Sequence, residues 1–300
     1  MVINKMFKVA GIGEVLWDIH GDDKTLGGAP ANFACHCGIL GAHAYVVSCV
    51  GDDALGAAGR DFLQQHGVDC SGLLVAASLQ TGRVQVTLGH GGQPEYEIKQ
   101  HVAWDAISFT AELAGLAPRL DAVCFGSLSQ RSDASRDAIG RFLDATRPDC
   151  LRMFDINLRQ TYYSDAVILD SLKRANALKV NDEELPILAA MLGIPGTDSE
   201  QLKAIVRAHD MKLAVLTCGS KGAWIVTPDD ANFAAAPPPT VLASTVGAGD
   251  SFTAAVVTGY LNGNTLEDIN RHANTVASHV CTQLGAVPPL PPKTENGDER

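Results

Sequence analysis

Short apolar runs alternate with longer segments of helical periodicity along most of the chain. The short runs are rich in β-branched residues and predict strands, whereas the longer segments repeat apolar residues every three or four positions and predict helices. The predicted strands are Lys8–Gly11, Tyr45–Val50, Ala122–Phe125, Met153–Ile156, Ala177–Val180, Leu213–Thr217 and Trp224–Thr227. The predicted helices are Ala29–Leu40, Leu55–His66, Arg131–Thr146, Ala166–Arg174, Glu183–Leu192, Ser199–His209, Gly249–Leu261 and Leu266–Leu284. This alternation indicates an α/β fold in which helices cover both faces of a mostly parallel central sheet.

One region departs from this alternation and predicts a β-hairpin. Thr81–Gly89 and Pro94–Gln100 read as two strands joined by the polar turn His90–Gln93, with side chains that alternate between polar and apolar. A hairpin inserted at residues 81–100 of a parallel α/β protein suits a lid over an active site, and the alternative is an edge hairpin that extends the main sheet. We therefore predict a single domain over residues 1–290 that carries this small β lid, followed by a disordered tail at Pro291–Arg300.

Composition and charge narrow the range of partners. The 300 residues are 46% hydrophobic and 19% charged, and the formal net charge of −11 disfavours nucleic acid or an anionic membrane as a partner. No segment approaches a membrane span and the N-terminus lacks the apolar run of a signal peptide, so we predict a cytoplasmic protein. The eight cysteines show no CxxC spacing and are expected to be reduced and mostly buried. The Cys35-His36-Cys37 triplet has no second ligand pair, which disfavours zinc.

The strongest candidate for chemistry is the glycine-rich run Ser244–Phe252, which opens a predicted helix. The first amides of a helix and the positive end of its dipole can hold an anion. Asp250 stands beside that anion site, where a carboxylate suits a base that takes a proton from an attacking hydroxyl. The alternative is that Asp250 only caps the helix.

A second glycine-rich run, Gly27–Ala34, begins the predicted helix Ala29–Leu40. Gly27 and Gly28 let the backbone approach a ligand, and the Asn32 side chain has a donor and an acceptor that suit sugar hydroxyls. Taken alone, this run also fits a tight strand-to-helix turn with an asparagine that faces water.

Together, these two runs resemble the signature stretches of the PfkB-type, or ribokinase-like, family of carbohydrate kinases. The matching segments are Gly27–Gly56 and Ser244–Phe252, and the likeness in element order covers about Lys8–Pro288. The resemblance implies a ribokinase-like fold and an ATP-dependent sugar kinase that uses Mg²⁺. The chain contains no Walker A sequence, which disfavours a P-loop kinase.

The resemblance also implies roles for individual residues. Asp250 is the general base, and its amide forms an anion hole with those of Gly247, Ala248 and Gly249. The implied substrate-binding residues are Asp18, Gly28, Asn32, Asn157 and Arg159. The implied nucleotide-binding residues are Asn181, Thr217, Gly219, Gly222, Asn274 and Ser278, and Glu184 is the residue associated with magnesium. Without the resemblance, Asn181 reads as a helix N-cap and Asp155 as a partner of Arg159.

Several segments resemble the fructokinase branch of the family. These segments are Ala103–Ile107, Phe125–Leu128 and Asp155–Arg159, and Ala29 stands where ribokinases usually carry lysine. Few cations besides Arg159 fall in the predicted site, so the pattern favours a neutral hexose, above all fructose, over a sugar phosphate. Ser244 stands where the family usually has an aspartate that helps to hold a monovalent cation. Serine supplies an oxygen without the charge, so the resemblance does not carry potassium activation over to this chain.

Other interpretations remain open at this point. The acceptor could be another sugar, a nucleoside or a sugar acid, and the fold could carry a catalytically silent sugar-binding protein, against which the retained Asp250 argues. Gly11-Ile12-Gly13 after a strand hints at a Rossmann-type dehydrogenase, but the third glycine and a well-placed ribose-binding acid are missing. The strand edges of the lid predict a homodimer that pairs two subunits across their sites.

Overall fold

The structure is a computed structural model and describes residues 6–88 and 94–290. Its strands are β1 (Lys8–Ile12), β2 (Leu16–His20), β3 (Asp23–Gly27), β4 (His43–Gly51), β5 (Asp69–Ala76), β6 (Gly82–Leu88), β7 (Pro94–Ile98), β8 (Ala122–Phe125), β9 (Leu151–Asp155), β10 (Ala177–Asn181), β11 (Leu213–Thr217), β12 (Ala223–Val226) and β13 (Ala231–Ala234). Its α-helices are α1 (Ala29–Ile39), α2 (Ala54–Gln65), α3 (Ala111–Leu116), α4 (Asp133–Asp144), α5 (Asp165–Arg174), α6 (Glu184–Leu192), α7 (Asp198–Ala208), α8 (Ala248–Leu261) and α9 (Leu266–Val280). Within those two ranges, no helix is both long enough and apolar enough to cross a lipid bilayer.

The main sheet has nine strands in the order β13-β12-β11-β10-β9-β8-β1-β4-β5. All neighbouring strands from β11 to β5 run parallel, whereas β12 and β13 form an antiparallel edge. The carboxyl ends of β1, β9, β10 and β11 therefore lie along one edge of the sheet. In open parallel sheets, ligands bind outside that edge.

Helices cover both faces of the main sheet, which confirms the predicted fold class. On one face, α1, α8 and α9 bury residues such as Phe33, Phe252 and Ile269. On the other face, α3 to α7 bury residues such as Phe142 and Leu188. Each such side chain contributes about 1.5–3 kcal/mol when it is removed from water. The two apolar layers thus hold the sheet as a fixed platform for the loops at its edge.

A separate sheet of four strands has the order β3-β2-β6-β7. The predicted hairpin is its antiparallel β6–β7 pair, and β2 joins β6 in parallel. The hairpin therefore does not extend the main sheet. The small sheet packs Leu16, Val84 and Ile98 against Trp104 and Leu128. The predicted turn at His90–Gln93 and the predicted tail at Pro291–Arg300 lie outside the described residues.

Most predicted elements agree with the structure to within two residues at each end, and the clearest error is the end of the last helix. It ends at Val280, four residues before the predicted end at Leu284. The Cys281 carbonyl accepts the amides of Ala243 and Ser244 at 2.9 and 3.3 Å instead of a helical amide. This contact stops the helix and fastens the segment before α8 to it.

Candidate active site

Two helix N-termini meet where the parallel strands of the main sheet end. Helix α1 begins at Ala29, α8 begins at Ala248, and the two helices pack against each other. The loop after β9 carries Asn157 and Arg159, the turn after β11 carries Gly219 and Gly222, and Asn181 ends β10 at the same edge. This edge of the sheet is therefore the candidate active site.

The turn before α8 contains amides that have no protein acceptor. Gly247 adopts a left-handed φ of 78°, and a Cβ there would lie 2.2 Å from the Ala286 carbonyl oxygen, so glycine is required. The Ala248 amide already donates within the turn at 3.3 Å, whereas in the described part of the chain the amides of Gly249 and Asp250 donate to no protein group. Unpaired amides at a helix N-terminus form an anion-binding site.

Asp250 is held by a side chain from the other helix. The Asn32 Nδ2 atom donates to Asp250 Oδ2 at 2.8 Å. Asn32 is buried and Asp250 is partly exposed, so the asparagine does not simply face water. The N-cap of α8 is Gly247, which makes no side-chain capping bond, and Asp250 lies in the first turn with its carboxylate directed to Asn32. The arrangement orients the carboxylate rather than capping the helix.

The pKa of Asp250 is raised to about 6. Burial is the largest cause, and the negative charge of Asp155 raises the pKa further. The hydrogen bond from Asn32 and the positive charges of Lys179 and Arg159 lower it. A carboxyl group with this pKa is ionised at neutral pH and is still basic enough to accept a proton in a reaction.

The start of α1 brings other predicted substrate residues close to Asp250. Gly28 has a φ of 107°, and a Cβ there would lie 2.3 Å from the backbone oxygen of Glu14. Asp18 on β2 is partly buried, which raises the pKa of its carboxyl, whereas the positive charge of Arg159 lowers it. The charge of Arg159 also lowers the pKa of Asp250, so Asp18, Arg159 and Asp250 interact electrostatically within one site.

Glu184 ties together the loops that follow β9 and β10. Its Oε1 accepts the Leu158 amide at 3.0 Å and its Oε2 accepts the Asn181 amide at 2.9 Å. Asn157, next to Leu158, has a left-handed φ of 50°. The N-cap of α6 is Glu183 rather than Asn181, but the Asn181 Oδ1 accepts the amides of Glu183 and Glu184 at 2.9 and 2.8 Å. These bonds give the loop after β9 a defined path along the sheet edge.

The predicted phosphate turn follows β11. Thr217 ends the strand, and Gly219 and Gly222 have φ values of 54° and 118°. A Cβ at Gly222 would lie 2.1 Å from the Ala234 carbonyl oxygen, so this turn also requires glycine. Gly219 is exposed, and no described residue would lie within 4 Å of a Cβ there, which leaves space beside the backbone.

The two predicted nucleotide residues on α9 differ in their surroundings. Asn274 is only 4% exposed, and its Nδ2 donates to the Oδ1 of Asn270 at 2.9 Å. Asn270 in turn donates to Asn232 at 2.8 Å, so this network fastens α9 to β13. The Ser278 hydroxyl donates to the Pro237 carbonyl at 2.8 Å at a more exposed position. Asn274 therefore stabilises the helix, whereas Ser278 borders open space.

A buried ion pair beneath the site was not predicted. Lys179 Nζ donates to Asp155 Oδ1 at 3.0 Å, and the two residues are register partners on β10 and β9. The expected alternative, a pair between Asp155 and Arg159, is not formed, and Arg159 is exposed. A lysine inside the apolar run Ala177–Val180 is the signal that could have identified this pair.

Glu14 is a second buried charge that the sequence did not single out. It is 2% exposed, its Oε1 accepts the Ala29 amide at 3.2 Å, and its Oε2 has no hydrogen-bond partner among the described residues. Burial raises the pKa of Glu14 to about 7, and the charge of Asp250 adds to this rise. Glu14 thus supports the start of α1, from which Asn32 reaches Asp250. The sequence signal that could have identified this buried carboxyl is a glutamate two residues after the buried strand β1.

The cysteines agree with their predicted state. All eight are free thiols, and most of them are buried. In the described ranges, no group of three or more histidine, cysteine, aspartate and glutamate residues could hold a metal ion. His36 Nε2 instead lies 2.9 Å from the Ala286 carbonyl oxygen, the same atom that packs against Gly247.

Comparisons with known proteins identify the family. The family profile described as pfkB family carbohydrate kinase matches residues 9–293. The chain is 30% identical to Fructokinase-2 of Zea mays, over 97% of this chain and 89% of that protein. An uncharacterized sugar kinase of Pyrococcus horikoshii, also solved in complex with ATP, has a TM-score of 0.79 at 27% identity over 93% of each chain. Fructokinase of Xylella fastidiosa shares the fold, with a TM-score of 0.83 at 19% identity over 95% of each chain.

These matches agree with the two signature stretches and with the geometry at the sheet edge. Gly28 and Gly247 each start a helix in a conformation that only glycine tolerates well, and Asn32 and Asp250 meet between those helices. The chain therefore belongs to the pfkB family of carbohydrate kinases, and it is an enzyme that transfers a phosphoryl group to a sugar.

Proposed function

We propose that the protein is an ATP-dependent kinase that phosphorylates a primary hydroxyl of a neutral sugar, with fructose as the preferred acceptor. The observation that carries this proposal is the position of Asp250, which Asn32 holds beside the open amides at the start of α8. A base next to an anion site suits the transfer of a phosphoryl group to a hydroxyl.

In the proposed reaction, Asp250 takes the proton from the acceptor hydroxyl while Asn32 holds its Oδ2 atom. The hydroxyl oxygen forms a bond to the γ-phosphorus of ATP, and the bond to the leaving ADP oxygen breaks. Negative charge on the transferred group meets the amides of Gly249 and Asp250. These donors are already oriented by the helix, so little reorganisation is needed during transfer.

ATP is the proposed donor, since the Pyrococcus horikoshii relative was solved with it. The turn from Thr217 through Gly219 to Gly222 would lie along its phosphates, where the left-handed glycines leave the backbone accessible. Asn181 would contact the phosphate region from the end of β10. Ser278 would border the base, whereas buried Asn274 would act by holding α9 in place.

Mg²⁺ is the proposed divalent cation. Both carboxylate oxygens of Glu184 already accept backbone amides, and the described residues contain no cluster that could bind a metal by itself. Such a donor set fits a cation held mainly by phosphate oxygens and water, with Glu184 accepting hydrogen bonds from that water. When bound, Mg²⁺ would offset the charge of the phosphates.

The charges near Asp250 favour a neutral acceptor. Asp18 and Glu14 are acidic, and Arg159 is the one cation among the predicted substrate residues. Carboxylates and the amides of Asn32 and Asn157 can bind sugar hydroxyls, but the carboxylates would repel a phosphate or a sugar acid. Fructose is favoured because the maize relative, at 30% identity, is a fructokinase.

An ADP-release assay tests the proposal directly. Fructose, ribose, other hexoses, nucleosides, sugar acids and sugar phosphates are compared as acceptors, with the sugar-free reaction as the control. We expect the highest kcat/KM with fructose and no dependence on potassium, because the Ser244 hydroxyl is neutral and accepts the Val246 amide at 3.1 Å. No signal with fructose but turnover of another acceptor would refute the substrate, and binding without turnover of any acceptor would indicate a catalytically silent protein.

We also propose a homodimer formed through the small sheet, whose outer strands are β3 and β7. Unpaired strand edges can extend across two subunits. Light scattering of the purified protein, with and without sugar, measures the mass in solution. A fully active monomer under both conditions would refute the dimer and leave the kinase proposal unchanged.

A further inference from the structure

Lys179 is a buried lysine in the middle of the main sheet. It is 6% exposed, whereas lysine almost never lies inside a protein without a partner. Alternation along β10 places Ala177 and Lys179 on the face covered by α8, and alternation along β9 places Met153 and Asp155 on the same face. The two strands are neighbours in register, which brings the lysine and the aspartate together beneath α8.

The Lys179 ammonium group lies directly behind the anion-binding turn. A Cβ on Gly249 would lie 3.3 Å from Lys179 Nζ, so no side chain fits between them without a shift. Asp155 is the one hydrogen-bond partner of this Nζ among the described residues, although an ammonium group has three donors. Thr253 on α8 links the pair to the helix, since its hydroxyl lies 3.4 Å from Asp155 Oδ2 and donates to the Gly249 carbonyl at 2.9 Å.

Stability alone does not account for this pair. Replacing a buried ion pair with apolar residues is often neutral or stabilising, because both charges lose their hydration. The pair lies instead where its charge affects chemistry, since Asp155 and Lys179 both influence the ionisation of Asp250. A cation behind the amides of Gly249 also adds to the positive potential that a phosphoryl group would meet.

We propose that Lys179 is a positioning residue for phosphoryl transfer, whose buried charge keeps Asp250 ionised beside Asp155 and strengthens the anion site at Gly249. This inference rests on the proposed role of Asp250 as the base. Lys179 acts from behind the turn and does not touch the sugar, so it affects the proton acceptor and the transferred group rather than sugar binding.

The charged and polar groups around Asp250 come from several elements. Asp155 lies on β9, Lys179 on β10, Arg159 in the loop after β9 and Glu14 in the loop after β1, and Asn32 donates from α1. Two cations therefore oppose two neighbouring carboxyl groups. Without Lys179, Arg159 would be the one cation left of these two, and it is exposed, while the hydrogen bond from Asn32 would still favour the ionised form of Asp250.

The charge of Lys179 is best isolated in an Asp155→Asn background, where Asp155 cannot take up a proton in place of Asp250. We compare the pH dependence of kcat/KM for the sugar, at saturating ATP, in wild type, Asp155→Asn and Asp155→Asn/Lys179→Met. The acid limb is the part of the profile in which kcat/KM falls as the pH is lowered. Asp155→Asn should move this limb to lower pH, and the added Lys179→Met should move it back up by about one pH unit or more. The double variant, which lacks the lysine, should have a plateau kcat about tenfold lower than that of Asp155→Asn, while the KM for the sugar stays unchanged.

Coincident acid limbs in Asp155→Asn and the double variant would overturn the inference. Lys179→Gln in the same background repeats the test with a polar side chain, in case the methionine variant does not fold.

Arg131→Met is the matched control, because it breaks a similarly buried ion pair. The side chains of Arg131 and its partner Asp105 are 8% and 13% exposed. This variant should lower thermal stability without moving the acid limb. A shift of the acid limb as large as the one caused by Lys179→Met would also overturn the inference. If Asp250→Asn is inactive while the limbs coincide, only the role of Lys179 fails and the proposed function stands.

Discussion

The Asp250→Asn variant is expected to lose turnover by a factor of about 10²–10⁴. Asparagine has nearly the same size and can still accept the hydrogen bond from Asn32, but it cannot take a proton from the sugar hydroxyl. Because the pKa of Asp250 is about 6, wild-type kcat/KM should fall as the pH drops below that value. The acid limb is measured with the ADP-release assay. Near-wild-type turnover of the folded variant would remove the base from the proposed reaction.

The stability of the same variant separates catalysis from folding. Folding raises the pKa of Asp250 from 3.8 to about 6, so the ionised carboxylate is less favourable in the folded than in the unfolded protein. This cost grows as the pH rises from 3.8 to 6 and is fully present above that range. Asp250→Asn should therefore be more stable than wild type at pH 8, by about 3 kcal/mol, and similar to it near pH 4. Lower stability at pH 8 would contradict the burial of this charge.

The Gly247→Ala variant is expected to lose turnover by a factor of about 10²–10³, as when one donor of an oxyanion hole is removed. Gly247 has a φ of 78°, and the new Cβ would lie 2.2 Å from the Ala286 carbonyl oxygen. The turn must then move, and the amides of Gly249 and Asp250 move with it. Single-turnover measurements with saturating ATP and sugar would show the loss in the chemical step.

Gly263→Ala is the control for backbone strain. Gly263 follows α8 with a φ of 72°, but no described residue would lie within 4 Å of a Cβ at that position. Both variants carry the cost of a left-handed alanine, about 1 kcal/mol, and only Gly247→Ala also displaces a neighbouring carbonyl. Gly263→Ala should keep wild-type turnover with slightly lower stability. An equal loss of turnover in the two variants would mean that strain, and not the position of the amides, limits the reaction.

Local sequence patterns were sufficient to place both glycine-rich turns on helix N-termini. Helix α1 begins at Ala29 as predicted, and α8 begins at Ala248, one residue before the prediction. A glycine-rich turn and the apolar periodicity that follows it are both properties of neighbouring residues. Such signals do not depend on distant contacts, which explains why they could be read directly.

Only two of the four strands of the small sheet, β6 and β7, were predicted from the sequence, because the other strands join them through distant contacts. The β6–β7 pair follows from alternating residues in one short segment, but β2 pairs with β6 across more than sixty residues of chain. Strand β3 is short, and its first three residues, Asp23, Lys24 and Thr25, are exposed, so it lacks the apolar pattern that marks a strand. Contacts between segments, rather than the pattern within either one, form this sheet.

The amino-acid pattern alone was enough to predict the α/β architecture and the carbohydrate kinase family, and to single out Asp250 as the candidate base. The Lys179–Asp155 pair depended on the register between β10 and β9, and the Asn32–Asp250 bond depended on the packing of α1 against α8. The pKa of Asp250 likewise reflects burial and charges from separate strands and loops. A residue's identity is local, but its burial and its electrostatic neighbours are set only when distant segments pack together.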